Sequence, residues 1–315
     1  MRGIMKKGMA LLLTGAMGMS MAVSATAAED RDMKVGVVIS SLSDAIFAEL
    51  VQAMQKSADE EGVELVVKEC PEVNDKITGI ENFVSAGCDV IICHVTDTEA
   101  LKDAALAAED AGVHFFSYDS DIEGTSAFVG VQNYDYGYAI GENAAKWVNE
   151  NFEEDEEVKV AVCNYPDYGF LIEREEGILA ALEELAPNTE VVATAKAGYT
   201  PEGIEVGDAW VQSCPDVNVV VGINDAGVLG VYEVFNAADI TGDKLGMFGG
   251  DATADAISAM EAGGTFRGTV STSLVDFGPK FIEMSIELCE TGTLKTREEY
   301  FPVTEVTMDN LEEFK

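Results

Sequence analysis

A set of small polar residues recurs directly after apolar runs in this chain, and their types point to one kind of chemistry. Asp44 stands in "VVISSLSDAIF", shortly after the run that ends at Ile39. His94 follows Cys93. Asp119 and Ser120 follow Tyr118. Asn224 sits in "VVVGINDAG", Asp251 in "MFGGDATADA" and Thr272 in "TVSTSLVDFG". A carboxylate accepts hydrogen bonds at two oxygens, and an amide accepts and donates at neighbouring atoms. Adjacent hydroxyls on a polyol ring present matching pairs. Phe47, close after Asp44, and Tyr199, in the polar stretch "AKAGYTPEG", supply rings that can cover the C–H faces of such a ligand. A turn made for phosphate would instead carry glycines and bare N–H groups. Asp44 would repel a phosphate. These positions suit a neutral polyhydroxylated ligand.

Each residue also has a commoner structural use. Asp44, Asp119 and Asp251 lie where helix N-caps occur, and capping is the ordinary work of such residues. His94 alone reads as a hydrogen-bonded structural histidine, and Phe47 alone as core. Arg174, in "FLIEREEGILAAL", has glutamate neighbours and on its own reads as a surface ion pair of little worth. Repetition at successive strand ends, in both halves of the chain, favours a shared site.

The elements that must position these residues are legible as alternating strands and helices. Strands are expected at 34–40, 64–69, 90–94, 114–118, 127–131, 159–164, 190–195, 217–222, 245–250 and 268–271. They are short and rich in Val, Ile and Phe, as strands buried on both faces are. Between most of them lie stretches with helical spacing. "DKITGIENFVSAG" puts Ile77, Ile80, Phe83 and Val84 on one face, and "TEALKDAALAAEDAG" does the same with Leu101, Ala104, Ala105 and Ala108. Gly62, Gly87 and Gly112 serve as helix stops. The expected fold is α/β: two doubly wound parallel sheets rather than one very wide sheet. The first passage between them is placed at Gln132–Asn133, and a long helix from Tyr136. In such sheets ligands sit beyond the carboxyl ends of the strands.

Composition narrows the function classes. The 315 residues suffice for two domains. The first segment has basic residues (Arg2, Lys6, Lys7), an apolar middle and Ala25-Thr26-Ala27, which reads as a secretory signal peptide over residues 1–27. No cysteine stands near that cut to carry a lipid anchor, and no later apolar run is long enough to span a bilayer. Against 58 acidic residues the chain has 19 basic ones, a net charge of -39, so it is poorly suited to nucleic acid. Six cysteines are scattered, with no CxxC pair, and are expected mostly as buried thiols; only two histidines occur. No zinc or other metal site is expected.

In their order along the chain, the stretches "VGVVISSLSDAIFAEL", "GCDVIICHVTDTEAL", "FFSYDSD", "VGVQNYDYGYAIG", "EREEGILAAL", "VNVVVGINDAGVLGVYE", "GMFGGDATADAISAM" and "TVSTSLVDFG" resemble the type I periplasmic binding proteins of the ribose/galactose branch. These are the sugar receptors of ABC importers. The resemblance runs from about Met33 to the end. It implies two lobes joined by three crossings, near Gln132–Asn133, Thr272–Ser273 and Thr304–Glu305, with the ligand clamped between them. The first lobe would comprise residues 33–132 and 273–304, the second 133–272 and 305–315. It implies Phe47 and Tyr199 as opposed stacking rings. Asp44, Asp119, Arg174, Asn224 and Asp251 would then be polar contacts. Ribose-binding relatives have arginine where this chain has Ser120, asparagine at His94 and glutamine at Thr272, and a second aromatic residue where Ile46 stands. Ribose itself is therefore not implied. The calcium loop of glucose/galactose receptors is missing.

Other classes fit less well. No GxSxG elbow is present for an α/β hydrolase. A lac-repressor-type regulator shares the lobes but needs a basic DNA-binding head, where this chain has its leader. A receptor for a sugar-like signal or for chemotaxis would carry the same binding lobes. The reading is of an exported, periplasmic, monomeric binding protein with no cofactor and no catalytic residue. Its partners would be a small sugar or polyol and a membrane permease.

Overall fold

The computed structural model describes residues 33–314. The expected leader, residues 1–27, lies outside the described residues. The apolar runs form strands, and each delivers the chain to a helix that covers the sheet. β1 (Lys34–Ile39) leads to α1 (Ala45–Glu61), β2 (Glu64–Glu69) to α2 (Val73–Ser85), and β3 (Val90–His94) to α3 (Thr98–Asp110). β4 (His114–Tyr118) and β5 (Ala127–Gly130) follow. α4 (Asn133–Asn151) opens a second series: β6 (Val158–Asn164), α5 (Gly169–Leu185), β7 (Thr189–Lys196), α6 (Thr200–Ser213) and β8 (Val219–Gly222). The series closes with α7 (Asp225–Ala237), β9 (Gly246–Phe248), α8 (Ala254–Glu261) and β10 (Phe266–Ser271). The chain ends through α9 (Phe277–Thr291), β11 (Glu298–Tyr300) and β12 (Thr304–Val306).

These strands make two six-stranded sheets of one plan, in the orders β11-β5-β4-β3-β1-β2 and β12-β10-β9-β8-β6-β7. Each is parallel except that β12 runs antiparallel to β10. The chain passes between the sheets after β5, after β10 and after β11. This is the α/β, two-lobed, doubly wound fold. All ten expected strands form, with ends shifted by no more than two residues. β11 and β12 were not expected. Each is three residues long, in the charged stretch "TREEYFPVTEVTM" that Pro302 interrupts, too short to show a period. The long helix begins at Asn133, with Gln132 as its N-cap, three residues before the expected Tyr136.

Burial follows the pattern. β3 and β5 are buried at every residue, which holds their carboxyl ends rigidly. Gly62 and Gly112 stop helices with φ of 71° and 83°, the left-handed region that costs glycine nothing. In the second sheet's helices glycine has another use. A Cβ on Gly137 of α4 would lie 1.8 Å from the carbonyl oxygen of Arg174, and one on Gly177 of α5 would lie 2.1 Å from that of Tyr134. The two helices pack backbone to backbone there. Cys70, Cys93, Cys163 and Cys214 are buried thiols outside any disulfide. Among the described residues no helix is long and apolar enough to cross a membrane, and no group of three His, Cys, Asp or Glu side chains is placed to hold a metal ion.

Candidate functional site

The carboxyl ends of both sheets face a cavity of about 710 Å³ of atom-free space, part of it open to solvent. In the first sheet, Asp44 caps α1: its Oδ1 accepts from the Ile46 N–H at 3.2 Å while the residue also lines the cavity. Burial pushes its carboxyl above the usual range. One turn on, the Phe47 ring lies 4.8 Å from the His94 ring. His94 ends β3 and Asp119 follows β4. Asp119 adopts φ 70° and donates its N–H to the Val129 carbonyl at 3.1 Å, which turns its carboxylate to His94 Nε2 at 3.0 Å. Aspartate tolerates the left-handed region better than most residues.

Behind His94 runs a buried line of polar groups. Ser40 Oγ lies 2.7 Å from His94 Nδ1, and Lys76 Nζ of α2 lies 2.6 Å from Ser40 Oγ. Burial lowers the proton affinity of both His94 and Lys76. The order Asp119, His94, Ser40 is that of a hydrolytic triad. Ser40 is not a wall of the cavity, however, and His94 stands between its hydroxyl and that space.

The second wall repeats part of this design. Asp251 follows β9 with φ 100° and donates its N–H to the Val270 carbonyl at 2.7 Å. Its Oδ1 accepts from the Tyr136 hydroxyl at 2.8 Å. Burial drives its carboxyl up to about 7, against the opposing pull of Arg174 and that hydroxyl. Arg174 is buried, not an ion pair on the surface. Its Nε and Nη2 donate to Asn133 Oδ1 at 3.0 and 2.7 Å, its Nη1 donates to the Ile223 carbonyl at 2.9 Å, and its guanidinium lies 4.2 Å from the centre of the Tyr136 ring. Packing of α4 on α5 at Gly137 sets this geometry. Asn224 caps α7 by accepting from the Gly227 N–H at 3.1 Å, and its amide donates to the Gly198 carbonyl at 2.8 Å.

Asp44, Phe47, His94, Asp119, Arg174, Tyr199, Asn224, Asp251 and Thr272 all line this one cavity. Ser120 does not; the left-handed turn at Asp119 carries the next residue away from it. Of the three aspartates that could have been caps, only Asp44 is one. Thr253 caps α8 in place of Asp251. Asp225, next to Asn224, is wholly buried and accepts from the Thr253 N–H and hydroxyl and the Thr269 hydroxyl, a structural brace.

Sequence reasoning missed a cluster of rings. Tyr165, Tyr168 and Phe170 line the cavity beside Tyr199. Tyr168 and Phe170 stack at 5.6 Å with planes 18° apart, and Tyr165 stands edge-on to Tyr199 at 5.7 Å. Phe170 reaches to 6.4 Å from His94 of the other sheet. These residues lie in "NYPDYGF" directly after β6, so reading that strand end as the others were read finds them. Tyr118, inside an apolar run, and Tyr136, in the polar and aromatic patch after the first crossing, also line the cavity.

A family model described as a periplasmic binding protein domain matches residues 35–293. The ABC transporter periplasmic-binding protein YphF of Escherichia coli (strain K12) is 23% identical over 78% of this chain and 77% of its own length. The ribose import binding protein RbsB of Bacillus subtilis (strain 168) is 22% identical over 82% of this chain and 85% of its own. An ABC transporter solute binding protein from Bacillus halodurans C-125, solved with bound myo-inositol, superposes with a TM-score of 0.81. It is 26% identical and covers 91% of this chain and 99% of its own.

Proposed function

The chain belongs to the periplasmic binding protein family, and from that premise we propose that it captures a neutral monosaccharide or related polyol between two closing lobes and delivers it to the permease of an ABC importer. The observation that carries this reading is the convergence of Asp44, Asp119, Asn224 and Asp251, from the strand ends of both sheets, on one ring-lined cavity. Asp44, Asp119 and Asp251 accept from ligand hydroxyls. Asn224 and Arg174 donate. Phe47 and Tyr199 cover the ring faces, and Tyr168 and Phe170 extend the second apolar wall. Contacts from both lobes make a ligand favour the closed form over the open one. We take the lobes as residues 33–132 with 273–304 and 133–272 with 305–315; the membership of the strands in the two sheets supports these bounds. The protein is exported by residues 1–27, works in the periplasm as a monomer and performs no catalysis. The names of two similar proteins, one for ribose import and one solved with myo-inositol, support the ligand class.

A thermal-shift screen of residues 28–315 against sugars, polyols, nucleosides and amino acids tests the reading. A ligand at 100 times its Kd stabilises the folded state by about 2.7 kcal/mol. A selective rise in Tm with one sugar or polyol is expected. A rise with a nucleoside or amino acid alone would overturn the ligand class.

A further inference from the structure

Lys76 is among the largest wholly buried side chains, and among the described residues its ammonium has a single hydrogen-bond partner, the Ser40 hydroxyl at 2.6 Å. An ammonium buried this way is costly and is retained only where its charge is used. The use follows from which groups can donate. A lysine ammonium has three N–H donors and no acceptor. Ser40 therefore accepts from Lys76. The hydrogen of the Ser40 hydroxyl then has one acceptor within reach, His94 Nδ1 at 2.7 Å. With Nδ1 accepting, a neutral imidazole carries its proton on Nε2, which faces Asp119 Oδ2 at 3.0 Å. In this arrangement the Ser40 hydroxyl and His94 Nδ1 are both paired, and Nε2 lies close to the Asp119 carboxylate without being aligned into a hydrogen bond.

We propose that Lys76 is a positioning residue of the binding site: acting through Ser40, it holds His94 as the neutral Nε2–H tautomer and so fixes Asp119 as a hydrogen-bond acceptor toward the cavity. The competing arrangement moves the ammonium proton through Ser40 to the imidazole. It leaves a neutral Lys76 amine that accepts from Ser40, and an imidazolium paired with Asp119. The titratable groups facing His94 are Asp119, Asp44, Lys76 and Tyr118, whose ring lies 5.3 Å away; those facing Lys76 are the thiols of Cys70 and Cys93, with Asp119 and Glu72. Two cations converging on one hydroxyl repel each other, so an ammonium at Lys76 opposes a charge on His94. That assignment stands whatever the ligand is. Its consequence for binding rests on the sugar reading above: an imidazolium would engage Asp119 and withdraw it from ligand hydroxyls.

The test uses ligand-free, nitrogen-15-labelled residues 28–315 without a histidine tag. His94 and His114 are the only histidines, so long-range proton–nitrogen correlation spectra resolve both rings, and His114→Asn assigns them. Expected is a neutral His94 with bare Nδ1 and protonated Nε2 between pH 6 and 8. An imidazolium at pH 7, or an Nδ1–H tautomer, overturns the proposal. Lys76→Met removes charge and donor at similar length. His94 should then titrate about one pH unit higher, and an unchanged titration and tautomer also overturns it. Should that variant not fold, Ser40→Ala breaks the same line, and loss of the single Nε2–H tautomer is expected. A sugar that stabilises the wild type should bind Lys76→Met several-fold more weakly at pH 5 than at pH 8, beyond any change the wild type shows over that range. Absence of any sugar binding, beside the expected spectra, would sink the sugar reading and leave the tautomer assignment intact.

Discussion

Asp119 and Asp251 hold the same station in two halves built to one plan, and the difference between them lies in what supports each. Both follow a strand, both have positive φ, and both anchor their N–H on the neighbouring strand, at Val129 and Val270. Asp119 faces His94, whose orientation comes from Ser40 and Lys76, all within the first sheet and its helices. Asp251 takes its hydrogen bond from Tyr136 of α4, and Tyr136 in turn lies under Arg174 of α5, which Asn133 and Ile223 hold. One wall is aligned by a line of polar groups. The other depends on two helices pressed together where glycine replaces a side chain. A repeated backbone thus leaves each half free to choose its own partners for the cavity-lining carboxylate.

The largest expected effect breaks the second wall. Arg174→Met keeps much of the apolar stem but removes the guanidinium that pulls the Asp251 carboxyl down and that, in the proposed function, donates to the ligand. Hydrogen bonds to charged groups contribute about 1.5–3 kcal/mol each, so titration calorimetry with the sugar found by screening should show affinity lower by about 10–100-fold. Loss below threefold would mean that Arg174 only braces α4 against Ile223.

The first wall was largely legible in the sequence, and the second only in part. Asp44, His94 and Asp119 each stand just after an apolar run, so the rule that ligands lie beyond strand carboxyl ends finds them. Asn224 and Asp251 follow from the same rule. Arg174 sits mid-helix among glutamates, and only the approach of α5 to Asn133 turns it inward, so its local pattern spoke for a surface ion pair. Lys76 shows the same limit. In "DKITGIENF" it occupies what reads as a solvated position, yet it is wholly buried, with Ser40, just past the end of β1, as its partner. Side chains whose place depends on residues distant in sequence leave no period to read. The strands needed no such partner, and they formed where their apolar runs lie.

The second wall should also respond to pH through Asp251. The Asp251 carboxyl is raised to about 7 in the folded protein, above its unfolded value, and Asp225 is displaced the same way by burial. The folded state then holds protons that the unfolded state has released. Stability contributed by Asp251 is full below about pH 4 and is lost as pH rises through about 7. The slope from one such group does not exceed about 1.4 kcal/mol per pH unit. In urea unfolding of the ligand-free protein, Asp251→Asn should flatten the fall between about pH 5 and 7.5. An equal slope in wild type and Asp251→Asn would remove that carboxyl from the explanation.

A smaller effect is expected in the ring cluster after β6. Tyr168 stacks on Phe170 and shares the cavity wall with Tyr165 and Tyr199, so no single ring there carries the whole apolar contact. Tyr168→Ala should weaken sugar binding about three- to tenfold, in keeping with about 0.5–1.5 kcal/mol for an aromatic pair. Phe47→Ala should cost more, because the first wall has no second ring beside it on α1, where Ile46 stands instead. If the two variants lose affinity equally, the rings do not divide between the walls in this way.

Ser120→Ala should change least, and that is its value. It follows Asp119 at the end of β4, where residue type and position both suit a contact, yet it does not line the cavity. Asp119 itself turns the chain away at φ 70°. The substitution leaves that backbone and the Asp119 N–H bond to Val129 in place, so calorimetry should show affinity within about twofold of wild type, a difference below about 0.4 kcal/mol. A tenfold loss would mean that lobe closure on the ligand rotates the Asp119 turn and brings the hydroxyl into the site. The first wall would then be the one that rearranges, and the line from Lys76 to His94 would have to move with it.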